Sequence, residues 1–179
     1  FSAKVNSTAG IPSGTATFFD GTTQLGVVTL DSSGNVAITV PRLAVGSHAI
    51  TVRYAGNTTY AASNSASLTQ VVNKSATNTT LTTTNAFATY GESITFLATV
   101  NPTSPGTGLP TGTVTFRNGT TVLGTVTLNN GGVAPFSIST LPASSTPYTL
   151  TATYNGDNNF NTSVSSNLSQ TVGQVSTII

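Results

Sequence analysis

The 179-residue chain carries five Lys or Arg and four Asp or Glu, for a net charge of +1, and contains no cysteine. So few cations cannot neutralise a row of phosphates or hold an anionic lipid surface, and without thiols neither a disulfide framework nor a thiolate metal site can form. No apolar run approaches the roughly 18 residues of a membrane span, so neither a nucleic-acid partner nor a membrane span is expected.

Hydrophobic residues alternate with Thr and Ser in short runs, and Gly, Asn, Asp and Pro punctuate the chain every 8–12 residues. That spacing predicts an all-β sandwich. The stretch "PSGTATFFDGTTQLGVVTL" (12–30) returns as "PTGTVTFRNGTTVLGTVTL" (110–128), displaced by 98 residues. A repeat of this length predicts two domains of one fold.

In the first copy, period-2 alternation places Phe1, Ala3 and Val5 inward, then Ala16 and Phe18, and then Val36, Ile38 and Val40. His48, Ile50, Val52 and Tyr54 follow, and Leu68, Gln70 and Val72 close the copy. The second copy predicts seven strands, at 77–84, 93–101, 113–118, 121–128, 133–140, 148–155 and 165–172. Their inward residues are Phe96, Ala98 and Val100; Val114 and Phe116; Ala134, Phe136 and Ile138; Tyr148, Leu150, Ala152 and Tyr154; and Leu168, Gln170 and Val172. Asp20-Gly21 and Asn118-Gly119 suit type I′ hairpins, which need positive φ at both central residues. Gly26 and Gly124 interrupt the following strand at equivalent places and predict a bulge there.

The segments "YGESITFLATV", "PTGTVTFRNGTTVLGTVTL" and "YTLTATYNGDNNFNTSVSSNLSQTV" resemble bacterial Ig-like domains of the group 3 type. The resemblance implies tandem immunoglobulin-like sandwiches in an extracellular or cell-surface protein. It puts the family's landmarks on Gly112, Phe116, Gly119, Leu123, Gly124, Leu128, Tyr154, Gly156 and Asp157, and it implies no ligand. The first copy departs by carrying Asn57 where the second has Asp157. The expected domains are 1–73, lacking its N-terminal strand because Phe1 aligns with Phe96, and 74–173, complete. Residues 174–179 are expected to begin a following repeat. On this reading the chain is a window on a longer array.

No catalytic, cofactor-binding or metal-ligating residue is expected, and no cofactor. The sole histidine, His48, stands where the other copy has Tyr148, at the place where Ig-like sandwiches carry a tyrosine corner, which argues for a structural role. Asp20, Asp31, Glu92 and Asp157 lie in predicted turns and are never adjacent. The loop "NGDNNF" (155–160) is oxygen-rich, yet calcium usually asks for several carboxylates, and "AGNTTY" (55–60) has none. Lys4 alternates outward and Lys74 lies in the linker, so neither suits a buried Lys–Asn cross-link. Seven Asn-x-Ser/Thr sequons, at Asn6, Asn57, Asn73, Asn78, Asn118, Asn161 and Asn167, match the high Ser and Thr content. Phe19 is expected to point outward.

These features lead to a non-enzymatic structural module of an extracellular filament or cell-surface stalk, completed by strand addition between units. The expected partners are neighbouring Ig-like repeats or other copies of the chain. The alternative is a carbohydrate- or surface-binding adhesin module, with glycans or a host surface as partner. That reading would need a concave patch of exposed aromatics and amides.

Overall fold

The computed structural model describes residues 1–178, and its regular structure is entirely β. The chain divides into two compact units, Phe1–Asn73 and Lys74–Ile179.

Among its described residues the second unit has nine strands. They are β8 (Thr77–Thr83), β9 (Phe87–Thr89), β10 (Ile94–Pro102), β11 (Thr113–Asn118), β12 (Thr121–Thr127), β13 (Val133–Ile138), β14 (Tyr148–Tyr154), β15 (Ser163–Val164) and β16 (Leu168–Gly173). One sheet runs β13-β10-β8 and the other β12-β11-β14-β16-β9, with β15 paired to β14. The seven predicted strands are therefore present, with ends shifted by up to three residues. Their inward residues form one core that includes Phe96, Ala98, Val100, Val114, Phe116, Ala152 and Tyr154. Across the two sheets, Phe116 of β11 stacks on Phe136 of β13 with ring centroids 5.0 Å apart.

The sequence reading missed β9. After β8 the Asn85 side chain accepts a hydrogen bond from Phe87 N, while Asn85 N donates to the Thr83 hydroxyl oxygen. This local turn moves the chain to the opposite sheet, where Phe87–Thr89 runs parallel to β16. Three residues, of which only Ala88 is buried, leave too little alternation to detect.

The first unit has β1 (Ser2–Lys4), β2 (Thr15–Asp20), β3 (Thr23–Thr29), β4 (Asn35–Ala37), β5 (Gly46–Tyr54), β6 (Ser63–Asn64) and β7 (Leu68–Val72). β1 pairs with β4, and the other sheet is built as β3-β2-β5-β6 with β7 also on β5. Pairing equates the two copies directly. Ala3 faces Val36 as Ala98 faces Ala134, and Val5 N donates to Gly34 O as Val100 N donates to Gly132 O, both at 2.9 Å. The alternation of Phe1, Ala3 and Val5 is as expected, but these side chains are only half-buried.

Both expected bulges are present. Phe18 faces Gly26 while Phe19 faces Gln24, and Phe116 faces Gly124 while Arg117 faces Val122, so Leu25 and Leu123 are the extra residues. Close approach holds glycine at 124, where an added Cβ would lie 2.5 Å from Phe136 Cε2; at 26 it would meet only the terminal methyl of Ile38, at 2.6 Å. The hairpin assignment needs correction. Asp20 and Asn118 close their ladders opposite Thr23 and Thr121, so the central residues are Gly21-Thr22 and Gly119-Thr120. Only the glycines have positive φ, 55° and 54°. Glycine at the first central position with an ordinary residue at the second is the composition of a type II′ turn, which spares β-branched Thr the left-handed region.

Gly124→Ala should destabilise the second unit by about 1–3 kcal/mol, because the Phe116–Phe136 stack must move. Gly173→Ala, where the new Cβ meets nothing closer than 3.9 Å, should stay within about 0.5 kcal/mol. Urea unfolding of both variants checks the contrast.

Candidate functional site

Every aspartate stands where the other copy has asparagine: Asp20 for Asn118, Asp31 for Asn129, and Asp157 for Asn57. Two of these pairs do the same local work in both copies. Asp31 Oδ1 accepts from Ser33 N and Asn35 N, both at 2.8 Å, as Asn129 Oδ1 accepts from Gly131 N and Val133 N at 2.8 and 3.1 Å. Asp157 Oδ1 accepts from Asn159 N and Phe160 N at 2.7 and 2.8 Å, as Asn57 Oδ1 accepts from Thr59 N and Tyr60 N. These are side chains mimicking a backbone turn, for which an amide oxygen serves as well as a carboxylate.

The second polar atom of the 57/157 pair shows compensation. Asp157 Oδ2 accepts from the Thr111 amide and hydroxyl at 2.8 and 2.6 Å. Asn57 Nδ2 instead donates to the Ser13 carbonyl at 3.0 Å, and Tyr54 donates its hydroxyl to the same oxygen at 2.7 Å. Partner polarity has switched along with the side chain. Burial alone would raise the Asp157 pKa, but the Thr111 hydroxyl and the Thr111, Asn159 and Phe160 amides outweigh it and bring it down to about 2. Burial, with the Asp157 charge nearby, pushes Tyr154 up to about 12. All four bonds to the Asp157 carboxylate come from the protein's own donors, so the loop is a self-satisfied turn. Lys74, at the surface, donates to the Asp157 carbonyl.

Among the described residues, His48 forms the one ion pair, with a carboxylate that the sequence keeps apart from it. At the start of β5 its Nδ1 lies 2.7 Å from Asp20 Oδ2, and its Nε2 lies 2.9 Å from the Ala44 carbonyl. Tyr148, its twin, donates its hydroxyl to the Pro142 carbonyl at 2.7 Å. Pro142 occupies the position of Ala44, counted before the two-residue insertion in the second copy. The histidine therefore replaces a corner tyrosine bond for bond, with one nitrogen left over for Asp20. Both ring nitrogens face acceptors, so the imidazolium is the form that satisfies the site. The Ala44 carbonyl first, and Asp20 second, hold its pKa above the ordinary value. The ion pair joins residues 28 positions apart and carries no sequence pattern of its own.

The other candidates do not converge. Lys4 is exposed on β1, Phe19 is half-buried rather than fully outward, and Glu92 accepts from Thr89 N within its own turn. Six of the seven sequon asparagines are exposed and Asn118 is half-buried. No group of three or more His, Cys, Asp or Glu able to hold a metal ion occurs among the described residues.

A family model described as "Bacterial Ig-like domain (group 3)" matches residues 1–73 and again 81–173. No match was found among the curated proteins. Among solved structures, the chain is similar to the fibronectin(III)-like modules of Clostridium thermocellum CbhA (20% identity, 97% of this chain and 84% of that one, TM-score 0.43). It is also similar to the Yersinia pseudotuberculosis adhesin InvE (18% identity, 89% and 49%, TM-score 0.38). A third is a chimeric titin Z1Z2-Z1Z2 tandem (14% identity, 98% and 89%, TM-score 0.34).

Two predictions follow from these side chains. A raised histidine pKa gives stability that is fully present below the unfolded value near 6.5 and is lost as pH climbs through the folded value. The first unit's melting midpoint should therefore fall as pH rises above about 6.5, and His48→Tyr should remove that dependence. For Asp157 the sign is opposite: stability is present above about pH 4 and is lost as pH falls towards 2. Asp157→Asn turns an amide donor towards the Thr111 donors and should cost the second unit about 1–3 kcal/mol in urea unfolding at pH 7.

Proposed function

The chain belongs to the bacterial Ig-like domain family, group 3, and from that premise we propose that it is a non-enzymatic structural module of an extracellular or cell-surface array. Its task is to space or build a stalk or filament from tandem sandwiches. The observation that carries this reading is the comparison between the copies. Residues that set shape recur, as in Phe18 and Phe116, Tyr54 and Tyr154, or Gly26 and Gly124. Residues able to do chemistry do not recur: His48 becomes Tyr148, and each aspartate becomes asparagine. A reaction performed by either domain would need its acid or base, and the repeat discards both while keeping the fold.

The exposed strand positions support the same function. They are mostly Thr and Ser, which bond to neighbours on their own sheet, as Thr95 does to Ser137 at 2.8 Å and Thr115 to Thr125 at 3.2 Å. With charged residues at 5%, the surface offers little self-repulsion to units packed side by side in an array.

A glycan array combined with a hydrolase substrate panel tests the proposal, and the expected result is no binding and no turnover. Saturable binding to one glycan class would favour the adhesin reading. Turnover that disappears in Asp157→Asn or His48→Tyr would overturn the non-enzymatic one.

A further inference from the structure

The chain between the last strand of the first unit and the first strand of the second is mostly held in place. β7 ends at Val72, opposite Gly46. Lys74, which the sequence places in the linker, already belongs to the second unit. Ser75 forms a parallel bridge with Phe160. Its N–H donates to the Asn159 carbonyl at 2.8 Å, and its carbonyl accepts from Asn161 N at 2.9 Å. The flanking residues are tied as well. Asn161 Nδ2 donates to the Lys74 carbonyl at 3.4 Å, the Lys74 ammonium donates to the Asp157 carbonyl, and the Ala76 carbonyl accepts from Thr103 N at 2.9 Å. Thr77 then begins β8.

The slot that holds this segment has two walls, both part of the second unit. One is the turn 157–161. Asp157 closes it by accepting from Asn159 N and Phe160 N, so the backbone groups offered to Ser75 are fixed in advance. The other wall is the loop 101–109, where Gly106 N donates to the Thr103 carbonyl at 2.8 Å. Gly106 faces Ser75 so closely that an added Cβ would lie 1.7 Å from Ser75 Oγ and 2.8 Å from Ser75 Cβ. Turning the hydroxyl away would relieve the first clash. It would not relieve the second, because Cβ moves only with the backbone. This loop has nine residues between Val100 and Pro110, against six between Val5 and Pro12 in the first copy.

We propose that Lys74–Ala76 is a strap clamped into the second domain, and that the connection between the domains turns on Asn73. Among the described residues Asn73 is held by neither the β7 ladder nor the slot. A joint of one residue offers one pair of soft backbone dihedrals and spans about 3.5 Å. An unclamped linker would add a further pair, and further reach, with each residue released. Chain pulled taut therefore gains length here only after the strap leaves its slot, when the bonds on both sides of Ser75 break together. This use of the joint rests on the structural-module reading above. The clamp itself does not, since every contact that makes it lies inside one domain.

Trypsin reads the clamp directly, because cutting after Lys74 requires the Lys74–Ser75 bond to leave the slot. In the full chain that cut should be at least about tenfold slower than the cut after Arg42, which is exposed in a segment without regular structure. Gly106→Val should raise the rate after Lys74 by at least about tenfold, while Gly173→Ala leaves it unchanged. Should Gly106→Val fail to fold, hydrogen exchange of the unaltered chain decides. There the Ser75 and Asn161 amides should exchange at least about tenfold slower than in an unstructured peptide. Rapid cutting after Lys74 in the unaltered chain, or an unprotected Ser75 amide, would overturn the clamp. So would cutting that stays slow in a folded Gly106→Val domain, since the second wall would then hold nothing. Saturable glycan binding would count against the module reading and leave the clamp standing.

Discussion

An inward side chain in a two-sheet sandwich is dry only if strands cover it from both flanks as well as from the opposite sheet. This lateral cover governs the difference between the two halves of the chain. The inward alternation of β1 and β10 is the same, and so is the register of each against β4 or β13. β10 is held on both sides, by β13 and β8; β1 is held on one. A strand with a partner on one side leaves the peptide groups of its other edge to water and the apolar side chains beneath that edge partly uncovered.

Within each unit, sheet spacing is fixed by a few tight contacts. Gly124 has no room for a Cβ because Phe136 presses on it, and Phe136 in turn stacks on Phe116. In the first unit Ile38 performs the pressing against Gly26. The contact survives a change from aromatic to aliphatic because it demands volume at that point and nothing about polarity. The bulge at Leu25 or Leu123 sits directly beside it, where the strand must bend to bring its glycine under the opposite sheet.

The sequence was most readable where a single period ran for five residues or more. Strands β10, β11, β13, β14 and β16 show that alternation, and their inward residues could be named in advance. It failed where structure depends on one side chain folding back on the backbone. Asn85 redirects the chain into β9 through a bond to Phe87 N, an event without periodicity. The hairpins were misplaced by one residue because Asp-Gly and Asn-Gly also fit an adjacent frame, and only the ladder ending at Asp20 and Asn118 decides between them. Of the candidate site, the corner role of His48 was legible from its twin Tyr148. Its bond to Asp20 was not, since Asn118, the twin of Asp20, gives no hint of a charge at that point.

The substitutions between copies come in matched sets, and this locates what the module preserves. Asp157 faces the donors of Thr111, while Asn57 turns an amide towards the carbonyl of Ser13. Histidine with aspartate replaces tyrosine with asparagine at the corner, and the carbonyl they reach is the same. At 57/157 the charge changes and the partner changes with it, while at the corner the side chain changes and reaches the equivalent carbonyl, although the second copy's loop is two residues longer. At 31/129 and 57/157 the turn is kept while the charge changes, so what these two loops preserve between the copies is the path of the backbone.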